Sequence, residues 1–309
     1  MAVEEVPEPT PAPGTVLIGT SAAGLAFPDL LLSRGRYQLR PEPPFIPGCE
    51  VAGIVLDAPD GSGLDVGQRV AAYPQLGGFA EQVRVDADRV LPIPDDLDLA
   101  TAAGMPINYL TMQFGLTVRG RLAEGESVLV HGAGGGLGLA AIQVARAGGA
   151  RVIAVASSED KRAAALEAGA DAAIPAEGFR DAVQEATGGH GVDIVVDPVG
   201  GDRMTDSLRS LRACGRLLVL GFTSGEIAEV RTNRLLLNNL DVVGVGWGAY
   251  AYPRPGYMRQ QWQDLMASFA AAGITPVPPR VVPLDDIPAE LEAMERRSLT
   301  GKVVASLQG

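Results

Sequence analysis

Val128-Leu-Val-His-Gly-Ala-Gly-Gly-Gly-Leu-Gly-Leu-Ala140 is the stretch from which the architecture of this chain can be read. A β-type run passes without a break into a glycine cluster and then into small apolar residues suited to a helix. Ala133, Gly135 and Gly138 stand in A-x-G-x-x-G spacing, directly after the predicted strand and at the opening of the predicted helix. With so few side chains, the turn lets the backbone approach a diphosphate, whose charge is then held by unpaired amides at the helix start. Ala133, Gly134, Gly135, Gly136, Leu137 and Gly138 are therefore the predicted contacts to a dinucleotide. A tight turn without a ligand is the competing reading, and the βαβ pattern around the turn weighs against it.

Outward from this turn, strands and helices alternate. Strands are predicted over 127–131, 151–155, 172–174, 193–197, 216–220 and 240–244, with helices over 137–147, 160–168 and 203–212. This rhythm is that of a parallel sheet covered on both faces, an α/β, Rossmann-type doubly wound domain. The second strand does not end in the Asp or Glu that would grip a ribose 2′-hydroxyl. It ends in Ser157 and Ser158, followed by Lys161 and Arg162. Hydroxyls and cations suit a 2′-phosphate, so NADPH is expected over NADH. The competing reading makes Lys161 and Arg162 solvated helix residues whose field Glu159 and Asp160 partly offset. Val199, Gly221 and Phe222 follow predicted strand ends, on the rim where such sheets bind ligands.

On either side of this domain the pattern differs. Residues 1–95 carry short β-type runs, at 15–19, 51–56, 69–72, 79–85 and 89–93, cut by Gly, Pro and Asp turns; 97–118 form a bridging helical segment, and a helix over 260–272 precedes a mixed return to the chain's end. With 309 residues the chain suits about two domains with a cleft between them. The expected division is 1–114 with 277–309, and 115–276. The net charge of -12 is spread without blocks, which disfavours nucleic acid and anionic membrane as partners. An acidic N-terminus and the lack of a long apolar run point to a cytoplasmic protein. Cys49, Cys214, His131 and His190 are the only cysteines and histidines, so no metal site is expected.

Several segments in order resemble the zinc-independent quinone oxidoreductase branch, zeta-crystallin-like, of the medium-chain dehydrogenases and reductases. They are 22–37, Pro47-Gly-Cys-Glu-Val-Ala-Gly-Ile-Val55, Val66-Gly-Gln-Arg-Val70, Gly78-Phe-Ala-Glu81, the glycine turn, 191–201, Gly215-Arg-Leu-Leu-Val-Leu-Gly221 and Gly301-Lys-Val-Val304. The resemblance implies a GroES-like partial β-barrel catalytic domain built from both chain ends, with the nucleotide domain inserted. In zinc-dependent relatives a Cys stands early in the first of these segments and a His precedes the Glu of the G-x-E motif. Here the early position falls in Gly24-Leu-Ala-Phe27 and the His position is Cys49, which reads as a small buried residue. The family Asn is replaced by Ala26, and the usual first β segment before Val3 is missing.

The resemblance also implies hydride transfer from NADPH to a small-molecule quinone or α,β-unsaturated carbonyl. It places Tyr37 at the substrate, as hydrogen-bond donor or proton relay, and Thr111 near the nicotinamide. Tyr37 as a surface plug and Thr111 as a helix residue bonding its own backbone are equally weighted readings. Asn108 and Trp247 are weaker candidates, Lys302 is expected to close a domain junction, and His131 reads as a satisfied strand-end residue. The apolar 235–245 resembles the family's edge strand, which implies a homodimer. Two other functions compete. A zinc-free enoyl-thioester reductase would need a cationic mouth, for which Arg34, Arg36 and Arg40 are candidates. An NADPH-binding sensor or subunit with little turnover is the third reading, motivated by Ala26.

Overall fold

The computed structural model describes residues 2–10 and 12–307, so the Pro-rich tract at 7–13 includes one residue, Pro11, outside the described residues. The chain forms two compact units. One comprises Met1–Ile107, Arg254–Gln263 and Pro278–Gly309, and the other Asn108–Pro253 and Asp264–Val277. Beside the expected division, Asn108 and Thr111 stand with the second unit, and 254–263 stands with the first.

In the first unit, β1 (Thr15–Leu25) leads to α1 (Phe27–Ser33), then β2 (Glu50–Asp57), β3 (Arg69–Ala72), β4 (Gln82–Asp86), β5 (Val90–Pro92) and α2 (Leu99–Ala103). The chain passes to the second unit inside α3 (Pro106–Gln113). β1 is longer than the run predicted over 15–19, because the small residues from Thr20 to Gly24 carry it onward. Its first half pairs with β4 and its second half with β13 (Val303–Ser306), while β2 lies along its other edge. Two register shifts bend it, between Leu17 and Ile18 and between Thr20 and Ala22, as bulges do. With β12 (Arg280–Pro283) beside β13, the seven-stranded sheet runs β12-β13-β1-β2-β3-β5 with β4 on β1. Both chain ends therefore build this sheet. Val16, Ile18, Val51, Val55, Val70 and Val303 form its core, and α11 (Ile287–Glu295) adds Ile287 and Leu291.

In the second unit the elements are β6 (Ser127–His131), α4 (Gly136–Ala147), β7 (Arg151–Ala156), α5 (Glu159–Glu167), β8 (Ala172–Pro175), α6 (Phe179–Ala186), β9 (Val192–Asp197), α7 (Met204–Arg209), β10 (Leu211–Val219), α8 (Thr232–Asn238), β11 (Asp241–Gly244) and α9 (Trp247–Ala251). α10 (Tyr257–Ala272) returns from the first unit to the second. All six strands pair in parallel, in the order β11-β10-β9-β6-β7-β8. From β6 the chain winds outward to β8, then returns to β9 on the other side of β6. That reversal is the topological switch point of a doubly wound sheet, and ligands bind at the carboxyl ends of the two strands flanking it. Leu129, Ile153, Val195, Leu217 and Phe179 pack the core on one face.

Two predicted elements differ from the structure. The helix over 203–212 ends at Arg209, and Leu211 already pairs with Val192 before a register shift to the Arg216–Ile194 pair. The apolar run 235–245 is not one strand. Leu235 to Leu237 lie in α8, which Asn239 ends at φ 52, a left-handed cap, and only Asp241–Gly244 is strand. β11 stands at the sheet's edge with β10 as its neighbour. Among the described residues, no helix is long and apolar enough to cross a membrane.

Candidate functional site

The sheet's switch point carries the glycine turn. Gly132, at φ 62, takes the chain out of β6, and Gly135 caps α4 without a side-chain acceptor. The first-turn amides of α4, on Gly136, Leu137 and Gly138, are thus left to an external acceptor, at the positive end of the helix. The turn is held from within: the Ala133 amide donates to Val155 O at 3.1 Å, and the Gly135 amide to Gly132 O at 3.1 Å. Three glycines have distinct reasons to be glycine. A Cβ on Gly138 would stand 2.3 Å from Gly132 O and 2.6 Å from Ala133 Cα, and one on Gly134 would stand 2.4 Å from Lys161 Cβ. One on Gly135 would meet only Gly132 O, at 3.6 Å. Two glycines let the turn pack on itself and on α5; the third borders open space of the kind a bound diphosphate needs.

The contact between Gly134 and Lys161 brings the residues after β7 to this turn. Ser157 and Ser158 are exposed at the strand end, and Ser158 caps α5 by accepting from the Lys161 amide. The Lys161 side chain is half-buried, and burial holds its ammonium below the ordinary lysine value. An adjacent anion would oppose that shift. Val199 follows β9, and its Cγ2 lies 3.3 Å from where a Gly132 Cβ would be. Gly200 sits against the Phe222 ring, and Gly221 and Phe222 follow β10. All the predicted dinucleotide contacts therefore gather at the carboxyl edge of one sheet.

Thr111, half-buried, lies on α3. The Tyr109 hydroxyl on the same helix donates to Gln143 Oε1 at 2.6 Å, and Gln143 Nε2 donates to Thr275 O at 2.8 Å. Since Gln143 is on α4, this bond ties the Thr111 helix to the helix that starts at the glycine turn. Asn108 and Trp247 are buried. Tyr37, half-buried in the bend after α1, belongs to the first unit. His131 is satisfied on one nitrogen only: Nε2 lies 2.9 Å from Ser207 Oγ, while Nδ1 has no partner.

The first unit holds a buried acid cluster. Asp29 Oδ1 accepts from the Gly48 amide at 3.0 Å, and Oδ2 from the Ala26 amide at 2.9 Å and the Cys49 thiol at 3.6 Å. Glu50 Oε2 accepts from the Ile107 amide at 2.8 Å, and Oε1 from Lys302, whose ammonium also donates to Leu25 O. Lys302 thus neutralises Glu50 within its own unit. Every carboxylate oxygen of the cluster is occupied, and burial and the neighbouring carboxylates push the Cys49 thiol well up. These donors do not fit a zinc ion, and among the described residues no group of three or more His, Cys, Asp or Glu is arranged to hold a metal. The sequence reading missed Asp29 and Glu50 because their partners lie 19 and 252 residues away. Asp197 carried a signal, since an Asp opening a Pro-Val-Gly turn readily accepts local amides.

Burial pushes the Asp29 carboxyl up to about 6, against the lowering effect of the Ala26 and Gly48 amides. The folded unit therefore binds more protons than the unfolded chain between the ordinary value of 3.8 and about 6. The contribution of this one group to stability is expected to be complete below pH 4 and to fall by about 3 kcal/mol as pH rises through 6. Urea unfolding of the first unit at several pH values checks this, and Asp29→Asn should flatten the slope.

Comparison with known proteins places this geometry. A family model described as alcohol dehydrogenase GroES-like domain matches residues 12–95, and one described as zinc-binding dehydrogenase matches 136–271. Quinone oxidoreductase-like protein 2 of Rattus norvegicus is 37% identical over 313 residues, covering 100% of this chain and 89% of that protein. A probable oxidoreductase of Mycobacterium abscessus is 42% identical, with a TM-score of 0.88 over 97% of this chain and 92% of that one. The quinone oxidoreductase of Thermus thermophilus, solved also as its NADPH complex, is 35% identical with a TM-score of 0.84, over 98% and 95%. With its two-unit fold, its switch-point turn and a full-length likeness of this degree, the chain belongs to the quinone oxidoreductase family of the medium-chain dehydrogenase/reductase superfamily.

Proposed function

We propose that the protein is an NADPH-dependent reductase that transfers a hydride to a quinone or an α,β-unsaturated carbonyl compound without zinc. The observation that carries this reading is the uncapped start of α4 beside an open Gly135, with Ser157, Ser158 and Lys161 at its flank. The amides of Gly136, Leu137 and Gly138 hold the diphosphate, and Ala133, Gly134 and Gly135 shape the turn, Gly135 leaving the space the ligand fills. Ser157, Ser158 and Lys161 take the 2′-phosphate. Val199, Gly221 and Phe222 wall the ribose and carboxamide, and Thr111 borders the nicotinamide. When bound, the cofactor supplies the hydride. Tyr37 donates a hydrogen bond or a proton to the acceptor oxygen. Orientation and exclusion of water then carry most of the rate effect. β11, at the sheet's edge, pairs with a second copy in a homodimer.

An enoyl-thioester reductase would need cations for its phosphates, and Arg34 is instead engaged bidentately by Glu295. That favours a small uncharged acceptor. Single-turnover oxidation of NADPH by a panel of quinones, enones and enoyl thioesters tests the reading. Rapid consumption by quinones or enones is expected; if no acceptor consumes the cofactor, the protein is a binder with little turnover. Replacing Ser157 and Lys161 together with alanine is expected to raise KM for NADPH by about tenfold to a hundredfold and leave that for NADH nearly unchanged. Equal changes would remove the 2′-phosphate assignment.

A further inference from the structure

Beneath the switch point, two buried polar atoms lack a hydrogen-bond partner: Nδ1 of His131 and Oδ2 of Asp197. The two residues are 0% and 1% exposed. The parallel register of β6 on β9 pairs Val128 with Ile194, Leu129 with Val195 and Val130 with Val196. His131 and Asp197 are next in line, on the same face of strands about 4.8 Å apart. Asp197 Oδ1 is already used, accepting from the Val199 amide at 2.9 Å and the Gly200 amide at 3.0 Å. Around His131 stand the Phe179 ring at 4.7 Å, Ser207 Oγ at 2.9 Å, and the charges of Asp197 and Arg203.

Valence narrows the arrangement. A carboxylate only accepts, so the group that satisfies Oδ2 must donate. The adjacent unpartnered imidazole nitrogen can do so if it carries the proton. Nε2 then accepts, and the donor to it is the Ser207 hydroxyl. The geometry points to Asp197 as a positioning residue for the dinucleotide site, oriented by a Ser207–His131–Asp197 hydrogen-bond chain whose His131–Asp197 link, not formed in this structure, closes by a small side-chain rotation or through one buried water.

The consequence lies at the sheet's edge. Asp197 fixes the amides of 199 and 200, and its own carbonyl accepts from the Leu220 amide at 3.0 Å. Pro198 O and Val199 O accept from the Thr223 and Ser224 amides. Val199 packs on Gly132, and Gly200 on Phe222. One carboxylate thus sets the relative places of three walls of the proposed cofactor site, although it touches no ligand itself. Its cofactor-positioning role rests on the proposed function; the tautomer it imposes on His131 does not.

The chain has only two histidines, so long-range 15N–1H spectra of histidine-labelled protein, with His190→Gln for assignment, read the tautomer directly. His131 is expected neutral at pH 7 with the proton on Nδ1, and Asp197→Asn is expected to move it to Nε2. In steady state, Asp197→Ala should raise KM for NADPH more than about tenfold with a much smaller change in kcat, and Asp197→Asn, which keeps one accepting oxygen, should recover most of it. Ser207→Ala, which acts on the site only through His131, should shift the same KM by a few fold. A wild-type Nε2–H tautomer overturns the chain of bonds whether or not any variant folds. A KM for NADPH within twofold of wild type in Asp197→Ala overturns the positioning role. If the wild-type protein binds no NADPH, the proposed function falls and the positioning role with it, and the tautomer still decides the network.

Discussion

Gly138→Ala is expected to lower NADPH affinity by at least about a hundredfold, with a destabilisation of about 1–3 kcal/mol. The added Cβ would lie 2.3 Å from Gly132 O and 2.6 Å from Ala133 Cα. Both atoms are backbone, so no side chain can swing away, and the turn itself must move. A displacement of that size takes the amides of Gly136 and Leu137 off the position a diphosphate requires. Gly135→Ala is the matched control, because its Cβ would meet nothing closer than 3.6 Å. Its melting temperature should stay near wild type, so that any loss of affinity reports on the ligand's space and not on the fold. Fluorescence titration with NADPH and thermal unfolding of both variants check this. Wild-type affinity in Gly138→Ala would mean that the turn is not the binding element.

Lys302→Ala is expected to destabilise the first unit by about 3–5 kcal/mol, as removal of one partner from a buried ion pair does. Glu50 is fully buried and its Oε1 depends on the Lys302 ammonium, with the Ile107 amide as the other donor to the carboxylate. Alanine leaves that charge without compensation, and it also strips the Lys302 stem from Gly104, to which it packs. Joint replacement of Glu50 by Gln and Lys302 by Met should recover a large part of the loss. Calorimetric unfolding of the wild type, the single variant and the double variant measures this coupling. A single variant within about 0.5 kcal/mol of wild type would show that the pair is solvated.

The features legible in the sequence are those encoded locally. The glycine turn was readable because close backbone approach admits almost no other residue, and its position between a β-type run and a small-residue helix named the domain type. Strands β3 and β6 fall on their predicted bounds, since Arg69–Ala72 and Ser127–His131 are short runs bounded by turn residues. The leucines of α8 misled, because an apolar run of four to eight residues suits strand and helix alike, and Asn239 in a left-handed cap decided the outcome. β1 was read short because Thr20 to Gly24 lack bulky β-formers, yet those small residues let it run between three neighbours. Asp29 and Glu50 were not legible as site residues, because what they do depends on a distant amide and a distant cation, Gly48 for Asp29 and Lys302 for Glu50. Asp197 did carry a local signal, since the amides it accepts from, at 199 and 200, lie two and three residues on.

Calorimetric titration of the purified protein with NADPH, repeated with NADH, bears most directly on the diphosphate-holding turn. One NADPH bound per chain is expected, tighter than NADH, with the difference shrinking when Ser157 and Lys161 are replaced. Absence of binding by either nucleotide would contradict the assignment of the α4 amides, and with it the enzymatic reading of this protein.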